Sequence, residues 1–279
     1  MTATTTAVPE SLTPRATTEV GVRRVTQARV VASEWIKFRS LRSTWITLLV
    51  SVVGVIGLGL LISYVTNAHW AQMHPEERAT FDPAGRSLGG VYLAQLAIGV
   101  LGVLVITGEY ATGMIRATLS AVPRRLPVLW AKAGVYAAVT LVLMLISAFV
   151  AFSGGQALLG AHSTTLSAPH VLRAVIGVAL YLTVVGLLAV GLGFILRNTA
   201  GGIATLFGLL LVLPAIVHVL PSNWAANISP YLPSEAGSAL FTLNPDPGML
   251  APWVGFGVFC AYAAAAIGIG AVLLRRRDA

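Results

Sequence analysis

Six long apolar stretches constrain the fold of this chain more than any other feature. A helix that crosses the hydrocarbon core of a bilayer needs about 20 consecutive, mostly apolar residues. The chain has six such segments, at 44–64, 88–107, 128–152, 171–196, 200–220 and 252–274. Only 10% of the residues are charged, whereas a soluble domain carries about 25%. We therefore predict an all-α integral membrane protein with six transmembrane helices over 44–274.

The basic residues are concentrated in alternate connections, which would all lie on the same side of the membrane. Lys and Arg are frequent before the first span, between the second and third, between the fourth and fifth, and after the sixth; the connection 221–251 has none. Because short cytoplasmic loops are enriched in Lys and Arg, we predict that both termini are cytoplasmic. The net charge of +8 comes from these loops rather than from one basic domain, so we expect no nucleic-acid partner.

The two ends of the chain are polar. Residues 1–20 are rich in Thr and Pro and have no apolar core, which predicts a disordered cytoplasmic tail rather than a secretory signal. Residues 275–279 form a short basic cytoplasmic tail. The abundance of Ala, Gly, Val and Arg is typical of a bacterium with a GC-rich genome, so we place the multi-pass protein in a bacterial plasma membrane.

The segment 21–43 has the pattern of an amphipathic helix. Trp35 and Ile36 lie on its apolar face, Glu34 and Lys37 lie on its polar face, and Arg39 intrudes on the apolar side. A basic amphipathic helix with Trp on its apolar face is typical of the membrane interface. We therefore predict an interfacial helix; the alternative is a charged flank that only sets the topology.

Two features of the later part of the chain predict irregular backbone. Pro214 lies inside the fifth span, where it should kink or end the helix. The connection 221–251 is too long for a hairpin and too apolar for a free loop, and its apolar residues, Trp224 and Leu240 among them, need burial. We predict short helices on or in the outer leaflet; a compact surface loop is the alternative.

Several motifs for chemistry are missing. The chain has no G-x-x-x-x-G-K-[ST] motif, so it cannot bind ATP through a P-loop of its own. It also lacks H-E-x-x-H and G-x-S-x-G, so we predict no catalytic, cofactor-binding or metal-binding residue and keep an intramembrane hydrolase only as a remote alternative. Glu109 is the acidic residue closest to a span interior. The energy for any work should therefore come from a partner.

A polar segment at 108–127 separates the second span from the third. It contains Glu109, the run Gly113-Met114-Ile115-Arg116 and the run Pro123-Arg124-Arg125. The segment is longer than topology requires and includes a helix-length mixture of apolar and basic residues, which predicts a docking surface for a partner. In the alternative, it is an ordinary loop in which Glu109 pairs with a nearby Arg.

These motifs occur in an order that resembles a known family. The run EWIKFRSLRSTW begins at Glu34, a Glu closes the second span, G-M-I-R and P-R-R follow, and ISPYLPSEAG begins at Ile228. From about Val20 to the end, the chain resembles the permease subunit of a bacterial ABC-2 type ABC transporter, in particular actinobacterial exporters.

The resemblance implies a function and a set of partners. In this family a separate ABC ATPase subunit, which holds ATP and Mg, binds the permease at a coupling helix between the second and third spans, and two permease copies or paralogues face each other in the bilayer. The chain would then be no enzyme itself, but would export an amphipathic small molecule, peptide or lipid, as in multidrug or antibiotic resistance. A non-transporting assembly or signalling protein is the alternative. The residues implied in ATPase docking are Glu109, Tyr110, Thr112, Gly113, Met114, Ile115, Arg116, Arg124 and Arg125.

Overall fold

The regular structure is helical throughout the part of the chain that can be described. A computed structural model describes residues 26–121 and 125–276. The predicted tail 1–20, the start of the predicted interfacial helix, Arg124 and the end of the basic tail lie outside these ranges. The helices are α1 (Gln27–Ser40), α2 (Arg42–Ala68), α3 (Pro75–Ala79), α4 (Pro83–Leu88), α5 (Val91–Ala111), α6 (Met114–Ala121), α7 (Leu126–Leu159), α8 (Val171–Leu196), α9 (Thr199–Phe207), α10 (Leu213–His218), α11 (Ser222–Ile228), α12 (Pro233–Ser238) and α13 (Pro252–Arg276).

Six helical segments are long and apolar enough to cross a membrane, which confirms the predicted all-α, six-span fold. They are Arg42–Ala68, Pro83–Ala111, Leu126–His162, Val171–Leu196, Thr199–His218 and Pro252–Arg276. The third differs most from its expected bounds, because α7 continues past 152 to Leu159. Gly154 and Gly155 do not break α7, since Leu60 and Ser87 pack closely against them. Gly160, with φ at 56°, ends it.

The fourth span, α8, is the centre of the bundle. It packs against α5, α7 and α13, and 83% of its most apolar stretch is buried. Two glycines allow this close packing, because Gly186 lies against the ring of Tyr136 and Gly191 lies against Ala266 of α13. Small residues permit close helix approach in membrane proteins, so these positions fix how the bundle is assembled around α8.

The fifth span is interrupted where the sequence predicts a disturbance. It consists of α9, a π-helical turn at Gly208–Val212 and α10, with Pro214 in the first turn of α10. Proline lacks an N–H and its ring crowds the carbonyl one turn earlier; a π turn accommodates both without ending the helix. Only 28% of this span is buried, and Val212 and Ile216 lie on its exposed side.

The connection after the fifth span folds into short helices, as the sequence predicts. These are α11, the 3₁₀ turn Ser229–Tyr231 and α12. Leu240, which follows α12, is fully buried, and Arg173 of α8 donates to its carbonyl oxygen at 3.0 Å. Trp224 is 65% exposed in this chain, as a side chain in the outer leaflet would be, and its burial in lipid stays a prediction. The stretch 232–241 is anchored to the bundle, because Leu232, Ala236 and Phe241 are buried and α12 packs against α13.

Candidate functional site

The polar segment after the second span belongs to a junction of five helices, which we call the joint. It consists of α1, α6 and the adjoining ends of α2, α5 and α7. Helix α5 ends at Ala111, and Gly113 turns the chain with φ at 70°, a conformation that glycine adopts at little cost. Helix α6 then begins at Met114.

Helix α6 has an inner and an outer face. Ile115 and Leu119 are buried, with 3% and 9% of their surface exposed. Met114 is 44% exposed, and Arg116 is also exposed. The two apolar docking residues that the resemblance implies on α6 are therefore divided, since Ile115 stabilises this chain and Met114 remains exposed.

Helix α1 packs one face against the bundle and leaves another exposed, and its position at the membrane interface stays a prediction. Val30, Glu34 and Phe38 are buried against the bundle, whereas Trp35 and Ile36 are exposed. The placement of Glu34 on a solvated face is wrong, since only 4% of it is exposed. The reason is an ion pair: Glu34 accepts from the ammonium group of Lys132 on α7 at 2.7 Å.

Four charged side chains close a ring at the centre of the joint. Lys37 Nζ lies 2.8 Å from Glu34 Oε1 and 3.1 Å from Glu109 Oε1. Lys132 Nζ lies 2.7 Å from Glu34 Oε2 and 2.7 Å from Glu109 Oε1. The ring thus joins α1, α5 and α7 through charge-assisted hydrogen bonds, which are shorter and stronger than neutral ones. We call these four residues the ion-pair ring.

Lys37 extends the ion-pair ring to α6. Its ammonium group also donates to the hydroxyl oxygen of Thr118 at 3.1 Å, so its three protons reach α1, α5 and α6. Burial acts to lower the pKa of Lys37, but the hydrogen bonds and negative charges of Glu34 and Glu109 outweigh this and raise the pKa above its ordinary value of 10.5. Lys37 is therefore charged at neutral pH.

The ion-pair ring contains every lysine of the chain. Of the 18 Lys and Arg residues, only Lys37 and Lys132 are lysines. Sequence reasoning assigned Lys132 to topology and missed its role, although it lies inside the predicted third span, where an ionisable residue indicates a functional site. Glu109 pairs with these two lysines, not with an Arg as the loop alternative supposed. Breaking such a pair leaves a buried charge without a partner and costs about 3–5 kcal/mol.

A cavity of about 400 Å³ lies beside the ion-pair ring. Glu34, Lys37, Glu109 and Lys132 all line it. Glu109 Oε1 accepts from both lysines, whereas Glu109 Oε2 is buried and accepts no hydrogen bond. The joint therefore combines a neutralised ring of charges with one free acceptor.

The remaining predicted docking residues lie around the joint. The Thr112 hydroxyl donates to the carbonyl oxygen of Gly108 at 2.9 Å, and the ring of Tyr110 lies 5.0 Å from the guanidinium carbon of Arg197. Arg125 donates to the carbonyl oxygen of Leu274 at 3.0 Å, so it contacts the end of α13. Arg124 lies outside the described residues. Docking on this segment stays a prediction.

Metal ligands are not gathered at the joint. Within residues 26–121 and 125–276, no three His, Cys, Asp or Glu side chains come close enough together to hold a metal ion. The described contacts of the joint are hydrogen bonds and ion pairs between helices.

Comparison with known families identifies most of the chain. The family described as "ABC-2 family transporter protein" matches residues 30–215, about two thirds of the sequence. The matched region begins in α1, includes the joint and ends in α10 of the fifth span. A comparison with curated proteins gave no match.

Proposed function

Because the chain belongs to the ABC-2 transporter family, as a permease subunit with several membrane spans, we propose that it exports an amphipathic molecule with energy from a separate ABC ATPase subunit. The observation that carries this proposal is the position of α6. It is a short amphipathic helix between the second and third spans, and Lys37 binds it to the ion-pair ring.

The outer face of α6 has the composition of a docking surface. Met114 and Arg116 are both exposed, on the two flanks of the buried Ile115, and Met and Arg are enriched in protein interfaces. Ile115 and Leu119 hold the opposite face against the bundle. A partner would therefore meet a helix that is already formed and oriented, which lowers the entropic cost of binding.

A displacement of α6 would reach the membrane helices through the ion-pair ring. Lys37 contacts Thr118 of α6 as well as Glu109 of α5, and Glu109 contacts Lys132 of α7. A movement of the ATPase on hydrolysis of its Mg-ATP would shift α6 and, with it, the ends of the second and third spans. Rigid-body movement of packed helices is a common mode of such transitions.

The composition of the bundle supports the proposed class of substrate and the proposed assembly. The six spans have mean hydropathies of 2.1 to 2.5, which favours an amphipathic small molecule, peptide or lipid, including a drug or antibiotic. The weakly buried fifth span leaves an apolar surface on which a second permease copy or paralogue could pack. We place the complex in a bacterial plasma membrane with both termini of the chain in the cytoplasm, where the ATPase would meet α6.

Co-purification tests the docking surface. We expect the tagged chain to retain its ATPase partner and the double substitution M114D/R116E to lose it, because the apolar and the cationic contact are both removed. Ile115 is unsuitable for this test because its substitution would disturb the bundle. The matched control is V219D/R86E, which changes an exposed Val and an exposed Arg away from the joint and should retain the ATPase.

Two results would contradict the proposal. The first is normal ATPase retention by M114D/R116E, which would place docking elsewhere. The second is the failure of sealed vesicles that contain the complex to take up any of a panel of amphipathic compounds in an ATP-dependent manner. In that case the protein would be a non-transporting membrane partner.

A further inference from the structure

A groove at the ends of α2 and α5 that lie away from the joint carries unpaired charges of both signs. We propose that it binds the head group of a zwitterionic phospholipid of the outer leaflet, with the phosphate at Arg86 and the ammonium group at Glu77 and Asp82. Ile62 of α2 and Tyr92 of α5 also line the groove. The site goes beyond the proposed function, because it involves neither the ATPase nor a second copy of the chain.

The unpaired charges are the first observation. Glu77 of α3 and Arg86 of α4 line the same groove and are both exposed. Within residues 26–121 and 125–276, neither of them makes an ion pair. Asp82 adds a second carboxylate, and its Oδ1 accepts from the amide of Gly85 at 2.9 Å, which fixes it at the start of α4. A ligand with both charges could pair with both sides of the groove at once.

Other charges of the same connection do not contribute to the groove. Arg78 donates to the carbonyl oxygen of Ala71 at 2.8 Å, and its guanidinium carbon lies 5.7 Å from the centre of the Trp70 ring. Arg78 is therefore engaged within the connection, and neither it nor Glu76 lines the groove. The charges that a ligand would meet are thus a distinct subset, and Glu76 offers a matched control for its neighbour.

Contacts with the bundle hold the walls of the groove in place. Gln156 of α7 donates to the carbonyl oxygen of Pro83 at 3.0 Å and to the hydroxyl oxygen of Ser87 at 2.8 Å, so α4 is anchored. Phe81 lines the groove, and its ring centre lies 4.9 Å from that of Trp70. A site that is already formed lowers the entropic cost of binding.

The position of the groove favours a lipid over a dissolved compound. Tyr64 and Tyr92 are 61% and 58% exposed near the same ends of α2 and α5, and Tyr and Trp are enriched where spans meet the lipid head groups. In the predicted topology this is the outer leaflet. The groove has a volume of about 500 Å³, which is typical of small-molecule sites. Its charges would meet the head group, and Ile62 and Phe81 would contact the start of an acyl chain.

The two signs of charge select a zwitterion. An anionic lipid could place its phosphate at Arg86, but Glu77 and Asp82 would then face a negative head group. A cationic amphiphile would pair with the carboxylates and be repelled by Arg86. A head group with a phosphate and an ammonium group avoids both repulsions. Because exposed ion pairs are individually weak, the charges provide selectivity and the apolar contacts add affinity.

Photolabelling of the purified full-length chain in detergent micelles tests the site. The probe is a phosphatidylethanolamine with a diazirine in one acyl chain, near the glycerol. We expect mass spectrometry to find the label on peptides that contain Ile62, Phe81 or Tyr92. The peptide with Val142 of α7, which is 56% exposed and does not line the groove, measures labelling by the surrounding lipid. Unlabelled phosphatidylethanolamine should suppress the groove signal, and phosphatidylglycerol with the same chains should suppress it much less.

Exposed side chains allow substitutions that leave the fold intact. Because each contact is an exposed ion pair, E77Q and R86Q should each lower the groove labelling about threefold, and E77Q/R86Q about tenfold, a loss of about 1.4 kcal/mol in binding. The matched control is E76Q/R42Q. Glu76 and Arg42 are exposed, and neither lines the groove, so this variant should label like the unmodified chain.

Three results would overturn the proposal. Equal groove labelling of E77Q/R86Q and E76Q/R42Q would refute the role of the charges. Equal suppression by phosphatidylglycerol would refute the selection of a zwitterion. Suppression by glycerophosphoethanolamine, which has the same head group and no acyl chains, to the same extent as by the lipid would show that the ligand is a dissolved compound. No ATPase is present in these experiments, so failure here is separate from failure of the docking proposal.

Discussion

The fourth and fifth spans are nearly equal in hydropathy and very different in packing. Their mean hydropathies are 2.5 and 2.3, yet 83% of the apolar stretch of α8 is buried and only 28% of that of the fifth span. Only Arg197 and Asn198 separate them; Arg197 has a left-handed φ of 54°, and Asn198 caps α9 by accepting from the amide of Gly201 at 2.8 Å. Hydropathy therefore predicts that a helix crosses the bilayer, but not which neighbours cover it.

The positions of glycine distinguish the two spans. In α8, Gly177, Gly186 and Gly191 each have another segment close to the missing side chain; in the fifth span Gly202 lies close to Val103, but Gly208 has no neighbour within 4 Å. Because lipid is as apolar as a leucine side chain, close packing rather than apolar surface holds helices together in a membrane. The fifth span is left with a surface for lipid or for a second copy.

Substitution of one glycine in α8 and one in the fifth span should give the largest difference in stability between the two spans. We expect G186L to abolish the folded protein, because the new side chain would overlap the buried ring of Tyr136. G208L should change stability little, since its new side chain enters open space. The yield of monodisperse protein in size-exclusion chromatography measures both effects. Equal losses of yield would contradict the difference in packing between the two spans.

A matched pair of leucine truncations should differ less, but measurably. L182A removes a fully buried side chain of α8 and should lower the free energy of unfolding by about 2–5 kcal/mol. L211A removes a side chain of the fifth span that is 41% exposed, and its cost should be well below that of L182A. Reversible unfolding in mixed micelles gives both values. A similar cost for both would mean that another chain covers Leu211.

Cysteine cross-linking asks whether a second copy covers the fifth span. In a C260A background, V212C and I216C should form disulfides between copies on mild oxidation, because we place the second copy on this face. V142C is the matched control: Val142 of α7 is 56% exposed, as is Ile216, and should remain uncross-linked. Gel mobility without reductant measures the fraction of the protein that is cross-linked. Equal cross-linking at all three positions would point to random collision rather than to an interface.

The smallest expected effect is the pH dependence of stability, which distinguishes the contribution of charge from that of packing. Since the pKa of Lys37 is raised in the folded state, its contribution to stability is complete below its unfolded pKa of about 10.5 and is lost as the pH rises through the higher folded value. K37R, which stays charged, should lose less stability than the unmodified chain as the pH rises above about 10.5. Melting temperatures measure this. The difference between L182A and L211A should not change with pH, because no charge enters it.

The sequence was sufficient for the spans and insufficient for the joint. Apolar length predicts six helices, and Pro214 predicts the disturbance in the fifth, because both effects are local in the chain. The inward direction of Glu34 and the role of Lys132 depend on contacts between residues that are far apart in sequence. Helical periodicity treats a charged residue as solvated, so a face that buries its charge against another helix cannot be recognised from one segment alone.

The two lysines also make the joint the only place where a lysine-directed reagent can modify a side chain of this protein. The side chain of Lys37 is 30% exposed and that of Lys132 only 3%. Acylation requires the deprotonated amine, and the pKa of Lys37 is raised, so Lys37 should react slowly but still ahead of Lys132, whose acylation requires α1 to separate from α7. The ratio of the two products would record how often the joint opens, without any label introduced by mutation.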